Sequence, residues 1–315
     1  MDPKTPVALV VGGSRGLGPL IAGELGRRGL HPVIWARDAE ELRRAAARLL
    51  ADGIVNDTAV CDVRDHARVA ALVEEIERDR GPIEVAIHVA GVIQVGPLAA
   101  MTRDHFTEAI DIMQWGPITM ALAVLPAMRR RGRGRIGTVA SIGGLVSVPH
   151  LLPYSTAKFG AVGFTQGLRA ELAGTGITAT TVAPGLMRTG SHLRAEITGD
   201  AAAEYAWFAP GASLPLLSMD AERAARRIVR GVLRGRSTVI LTPLAKVGAR
   251  VAGVAPATTA VAMGLLARVL PAAPSAPSAP TPTVRGETAR RQLGSGLVER
   301  LTTWGNRAAD RFNET

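Results

Sequence analysis

The first 240 residues alternate two kinds of segment. Short apolar runs recur at 7–11 (VALVV), 32–36 (PVIWA), 57–61 (DTAVC), 83–90 (IEVAIHVA), 135–141 (RIGTVAS), 177–184 (ITATTVAP) and 237–241 (STVIL). Runs of this length, bounded by polar or glycine-bearing turns, predict strands buried on both faces. Between them lie Ala-, Arg- and Glu-rich stretches such as AEELRRAAARLLAD (39–52) and DHARVAALVEEIERD (65–79), with helical periodicity. The alternation implies right-handed crossovers and a doubly wound α/β fold, with a parallel seven-stranded sheet flanked by helices. Ligands of such sheets bind beyond the carboxyl ends of the strands, so the residues just after each strand matter most.

The pattern changes after residue 243, which divides the chain into a catalytic domain (1–243), an apolar helical extension (244–270), a Pro/Ala/Ser linker (271–283) and a tail helix (284–315). Residues 251–267 are uncharged but are broken by Pro256, a poor membrane span. They predict a packed helical pair or a substrate lid, with a peripheral membrane element as the alternative. The run PAAPSAPSAPTPT has too little apolar bulk to fold. In the tail, Leu297, Leu301, Trp304, Ala308 and Phe312 recur every three or four residues, predicting one amphipathic helix that docks on its own domain or on a partner.

Composition adds less. The formal charge of +10 comes mostly from arginine, densest in RRRGRGR (129–135). No aromatic residues interleave with that run and no nucleic-acid-binding motif accompanies it, so it reads as a solvated loop and nucleic acid is not an expected partner. Cys61 is the only cysteine, so neither an intrachain disulfide nor a metal site is expected. The N-terminal stretch lacks the pattern of a signal peptide, and a cytoplasmic location is expected.

The chemistry starts after the first strand. Gly12, Gly16 and Gly18 in GGSRGLG stand between a strand and a helix, where glycines permit a tight turn and let a pyrophosphate approach backbone amides at the helix N-terminus. The strand PVIWA ends in Ala36 and Arg37, not in the acidic residue that binds the ribose 2′-hydroxyl of NAD, and Arg15 lies in the glycine loop. Two guanidiniums at that corner suit a 2′-phosphate and favour NADP(H) over NAD(H). Asp62, after the third strand, is placed either to accept from the adenine amino group or to be an ordinary turn aspartate.

Tyr154 and Lys158 form a Tyr-x-x-x-Lys pair in a chain with two tyrosines and three lysines. Chance gives about 0.02 such matches in the whole chain, too few for coincidence. One helical turn apart, they share a face. A neighbouring ammonium favours phenolate, lowering the phenol pKa toward the range useful for proton transfer.

In this order, GGSRGLG, CDV (61–63), HVAG (88–91), Ser141 in TVASIGG, YSTAK (154–158) and PGLMRT (184–189) resemble the classical short-chain dehydrogenase/reductase family over about residues 5–242. The resemblance implies a Rossmann fold, a nicotinamide cofactor, interconversion of a carbonyl and an alcohol, and a dimer or tetramer. It implies Tyr154 as acid/base, Lys158 as its electrostatic partner and ribose anchor, and Ser141 as the group holding the substrate oxygen. It implies cofactor contacts from Gly12, Ser14, Arg15, Gly16, Leu17, Gly18, Arg37, Asp62, Val63, Ala90, Gly91, Tyr154, Lys158, Pro184, Gly185 and Thr189.

Two positions depart from the family. His88 stands where many members have asparagine, and is expected to be a packed, hydrogen-bonded histidine. Met113 stands where an asparagine commonly holds a water in a proton relay; methionine cannot do so. Either a shifted backbone lets Gln114 serve, or water reaches Lys158 another way, or turnover is slow. The segment 189–219, with YAWFAPGASLPLL at 205–217, is expected to be a substrate loop of apolar character. The sequence thus predicts an NADP(H)-dependent oxidoreductase for a hydrophobic carbonyl or secondary alcohol. The alternatives are a 3-ketoacyl reductase, with the 129–135 arginines greeting an acidic carrier, and a cofactor-binding sensor or scaffold with little turnover.

Overall fold

The structure, a computed structural model, describes residues 5–215, 218–272 and 282–314. Seven strands, β1 (Val7–Val11), β2 (His31–Ala36), β3 (Asp57–Val60), β4 (Ile83–His88), β5 (Gly134–Val139), β6 (Ile177–Ala183) and β7 (Thr238–Ile240), form one parallel sheet. In these numbers its spatial order is β3-β2-β1-β4-β5-β6-β7. The chain leaves β1 in one direction along the sheet and returns to build the other half from β4, which opens a crevice at their carboxyl ends.

Among the described residues, twelve α-helices are interleaved with and follow these strands. The first six are α1 (Leu17–Gly26), α2 (Ala39–Ala51), α3 (His66–Asp79), α4 (Arg103–Ile110), α5 (Gly116–Arg131) and α6 (Leu152–Glu171). The others are α7 (Ala201–Ser213), α8 (Ala221–Leu233), α9 (Pro243–Val254), α10 (Pro256–Ala267), α11 (Gly286–Leu293) and α12 (Gly296–Arg311).

The two-residue period of β1 builds both faces of the core. Val7, Leu9 and Val11 pack with α3, α5 and α6, whereas Ala8 and Val10 pack with α1, α2 and α8. Asp38, Asp65 and Asp220 cap α2, α3 and α8 by accepting from a main-chain N–H three residues on, satisfying amides that the first helical turn leaves unpaired. α4 runs through one π turn, Asp111–Trp115, into α5. The combined helix is long and apolar enough to cross a membrane, but half of its most apolar window is buried within the fold, as in a core helix.

The expected loop at 189–219 is largely helical: α7 buries Tyr205, Phe208 and Ala209 against Val95, Ile197 and Ala289. Leu216 and Leu217 lie outside the described residues, as does most of the expected linker. The tail is two helices, not one, and only the end of its apolar stripe, Ala308 and Phe312, is buried in the docking face. Leu297 is 67% exposed and Trp304 55%, while Thr302, Gly305, Ala308 and Ala309 are buried. Close approach to α7 explains the choice of small residues: a Cβ on Gly305 would lie 2.3 Å from Ser213 Oγ.

The arginine run is partly engaged rather than simply solvated. Arg131 donates to Glu77 and to the Ile83 carbonyl, and Arg133 pairs with Glu84. The apolar pair α9 and α10 is helical as expected, yet α9 buries only Ala245 and α10 buries no residue.

Candidate functional site

Glycine geometry shapes the crevice. Gly12 and Gly13 donate their N–H groups to the Trp35 carbonyl, and Val89 donates to the Val11 carbonyl, which fixes the loop after β1 between its neighbours. Gly12 has φ +85°, and a Cβ there would lie 2.5 Å from Ala90 N. A Cβ on Gly18 would lie 2.0 Å from the Gly12 carbonyl oxygen. Only glycine permits this closure, which brings the backbone at the start of α1 to the edge of the crevice.

A cleft of about 360 Å³ lies along these carboxyl ends. It brings together Gly12, Ser14, Arg15, Leu17, Arg37, Asp62, Val63, Ala90, Gly91, Tyr154, Lys158 and Thr189 of the residues expected from sequence. Gly16 and Gly18 are not part of its lining: Gly16 N–H donates to the Phe312 carbonyl, and Gly18 packs against Gly12. Pro184 and Gly185 do not line the cleft: the Pro184 carbonyl accepts from Ile142 N–H, and Gly185 packs against Thr242. Asp62 has its carboxylate gripped by Arg64, at 2.6 Å from Nη2, which holds it below the usual carboxylate range.

At the other end, α6 presents Tyr154 and Lys158. Ser141, just after β5, is hydrogen-bonded to Tyr154 and its Oγ accepts from Gly143 N–H at 3.0 Å. Lys158 Nζ donates to the Val139 carbonyl at 2.8 Å and lies 5.6 Å from the centre of the Tyr154 ring. Burial pushes the Lys158 ammonium down from 10.5 to about 7. Tyr154 departs from the expectation that the ammonium would lower it. Burial outweighs every other influence and holds the phenol above its ordinary value, with the Ser141 hydrogen bond opposing.

Met113 is where the sequence placed it. Its Sδ and Lys158 Nζ converge on Gly91, whose Cβ would meet them at 3.3 Å and 3.8 Å. The π turn does shift the backbone, but Gln114 lies against Gly160, not Lys158, so it does not replace the missing asparagine. His88 is packed as expected, yet its Nε2 has no hydrogen-bond partner among the described residues. The site that Nε2 faces is the α-carbon of Gly116, which offers no acceptor. Burial, with Lys158 adding to it, pushes His88 down to about 3, so it stays neutral.

Sequence reasoning missed a cluster at the glycine-loop end. Arg15 Nη1 stands 3.8 Å from Glu41 Oε1, Arg15 Nε stands 3.8 Å from Glu314 Oε2, and Arg194 Nη2 stands 3.4 Å from Glu41 Oε1. Glu41 also accepts from Ser14 Oγ at 3.1 Å. Its helical position would read as a solvated first-turn carboxylate, and Glu314 is 299 positions from its neighbour Arg15; no local pattern signals either.

Comparison with known proteins agrees with this geometry. The signature described as "short chain dehydrogenase" matches residues 6–198. A Streptomyces coelicolor protein bearing the name "Putative ketoacyl reductase" is 39% identical over 185 residues, 58% of this chain and 71% of its own. The crystal structure of an actinorhodin polyketide ketoreductase variant with NADPH superposes with a TM-score of 0.65 at 31% identity, covering 75% of this chain and 95% of that one. A gluconate 5-dehydrogenase from Burkholderia cenocepacia in complex with NADP and tartrate gives 0.64 at 26% identity, covering 76% and 95%. With a parallel sheet in this order, a glycine-lined crevice and a Ser-Tyr-Lys set at its edge, the chain belongs to the short-chain dehydrogenase family and is a nicotinamide-dependent oxidoreductase acting on CH–OH groups.

Proposed function

We propose that the chain interconverts a carbonyl and a secondary alcohol on a hydrophobic substrate, using NADP(H). One observation carries the reading: Tyr154, hydrogen-bonded to Ser141, stands over the buried Lys158 at the edge of a cleft whose other end carries Arg15 and Arg37. The cofactor would supply hydride to the carbonyl carbon, or take it from the alcohol. The chain's own residues serve the oxygen. Ser141 holds it by a hydrogen bond and stabilises charge developing on it. Tyr154, kept protonated at neutral pH by burial, donates the proton that completes reduction, and Lys158 stabilises the phenolate left behind. Gly12, Ser14, Leu17, Val63, Ala90, Gly91 and Thr189 would seat the dinucleotide. Arg15 and Arg37 support a 2′-phosphate, as do the NADP-bound neighbours.

The test is NADPH oxidation across a panel of hydrophobic ketones, with Tyr154→Phe in parallel. Turnover in the parent that falls at least 100-fold in the variant, with NADPH binding retained, is the expected result. Tight NADPH binding without turnover in the parent would favour the sensor or scaffold alternative. A 3-ketoacyl substrate remains compatible, but the arginines expected to greet its carrier are in part bonded internally through Arg131 and Arg133. Exposed Leu122 on α5 and Phe159 on α6 support a homo-oligomer.

A specific surface supports peripheral membrane contact as an added property. Beside the exposed α9–α10 pair, with Val254 88% exposed, a cavity of about 440 Å³ is lined by Arg227, Arg230, Arg234, Arg236, Lys246 and Arg250. Apolar side chains next to cations that make no ion pair among the described residues fit an anionic bilayer. Pelleting with phosphatidylserine vesicles that is lost in Arg230→Glu/Arg234→Glu is expected; equal, negligible pelleting would remove the reading.

A further inference from the structure

The segment that follows α12 is built into the edge of the cleft. The Phe312 carbonyl accepts from Gly16 N–H at 2.7 Å. Asn313 Nδ2 donates to the Ser14 carbonyl at 2.9 Å and to the Glu41 carbonyl at 3.2 Å, while its Oδ1 accepts from Arg44 Nε at 2.9 Å. The Phe312 ring packs with Leu20 and Ala221. These bonds deliver the Glu314 side chain, 6% exposed, to the start of α1. A Cβ on Gly16 would lie 2.6 Å from Glu314 Oε1, and Thr189 Cβ is 3.8 Å from that same point. Amides at a helix N-terminus and the helix dipole favour an anion there. In this chain the anion is already supplied from within.

We infer that Glu314 occupies the phosphate end of the dinucleotide site and acts as a gate, a dinucleotide diphosphate being admitted when this carboxylate is neutral. The inference rests on the dinucleotide reading of the cleft. It deepens that reading by adding a group that competes for the same helix terminus. A buried carboxylate and a diphosphate at one helix end repel each other in a medium that screens them poorly.

The charged groups around Glu314 set its titration. Arg15 faces it from the glycine loop and Arg194, whose Nε donates to the Glu314 carbonyl, from the loop beyond β6; both favour the anion. Glu41 on α2 opposes it; Arg44, on the same helix, bonds the adjoining Asn313. Burial outweighs the arginines and pushes the Glu314 carboxyl up to about 7. The group is therefore neutral below about pH 7 and anionic above it. If only the neutral form admits the diphosphate, the apparent Kd scales with the inverse of that fraction and rises about thirtyfold between pH 6 and pH 8.5. A 2′-phosphate gains charge over the lower part of that range, which would pull affinity in the opposite direction.

The experiment is titration of the full chain with NADPH by calorimetry at pH 6, 7 and 8.5, with Glu314→Gln in parallel. Glutamine keeps the shape and removes the charge. The expected result is parent affinity that weakens severalfold or more with rising pH, and variant affinity that does not. The variant should bind more tightly than the parent at pH 8.5. Equal affinities at pH 8.5, or weaker binding by the variant, would overturn the gate while leaving the dinucleotide reading intact. No binding by either form at any pH would overturn both. Thermal unfolding of the variant at pH 8.5 shows whether it is folded; if it is not, Glu314→Ala is the second variant, with the same expected loss of pH dependence.

Discussion

Lys158 stores a cost that should be measurable as stability. Its ammonium sits in the core with only the Val139 carbonyl as hydrogen-bond acceptor among the described residues, and burial lowers it from 10.5 to about 7. The folded chain therefore binds fewer protons than the unfolded chain between about pH 7 and pH 10.5. The penalty is full below pH 7 and is relieved as the pH rises through that window. At about 1.36 kcal/mol per pH unit, it reaches about 5 kcal/mol. Lys158→Met removes the charge but leaves the Val139 carbonyl without its donor, a loss of about 1 to 2 kcal/mol. The variant should be more stable than the parent by about 3 to 4 kcal/mol at pH 6, with the advantage nearly gone by pH 9. Urea unfolding of both forms without cofactor, at pH 6, 7.5 and 9, provides the assay. A difference that does not change with pH, or a less stable variant at pH 6, would refute the reasoning. Loss of turnover in the same variant would show that the chain tolerates this cost for chemistry.

Two further substitutions probe the site. Gly18→Ala forces a Cβ to within 2.0 Å of the Gly12 carbonyl oxygen, so the loop must move; NADPH binding should weaken at least tenfold, read by fluorescence titration, with the far-UV dichroism of the sheet and helices retained. Met113→Asn places an amide beside Lys158 where the thioether now lies. It should raise kcat severalfold in steady-state assays if proton delivery limits turnover, while lowering stability by about 2 kcal/mol through the loss of a buried apolar side chain.

Much of this molecule was legible in the chain itself, because its information is local. Short continuous apolar runs and the turns that bound them determine seven strands, and the alternation with helices leaves essentially one right-handed way to wind them. Gly12, Gly16 and Gly18 read as a phosphate-binding turn because the geometry of such a turn excludes side chains within seven residues. Tyr154 and Lys158 read as a pair because one helical turn separates them. Met113 could be suspected on the same grounds, since its contact with Lys158 depends on a helix packing at the expected register.

The remainder depended on contacts that no local pattern encodes. The burial that raises Tyr154 and lowers Lys158 comes from layers contributed by several helices, so the ammonium could be read from sequence and its cost could not. The tail meets α7 through Gly305, where Ser213 leaves no room for a larger side chain, so Leu297 and Trp304 stay exposed while Phe312 is buried against Leu20 and Ala221; these steric conditions are set by neighbours far away in the sequence. Glu314 meets Arg15 and the start of α1 only because α12 packs on α7 and ends with Phe312 against Leu20 and Ala221. Sequence determined which groups could do chemistry; tertiary packing decided which of them are charged and which group stands at the phosphate end of the cleft.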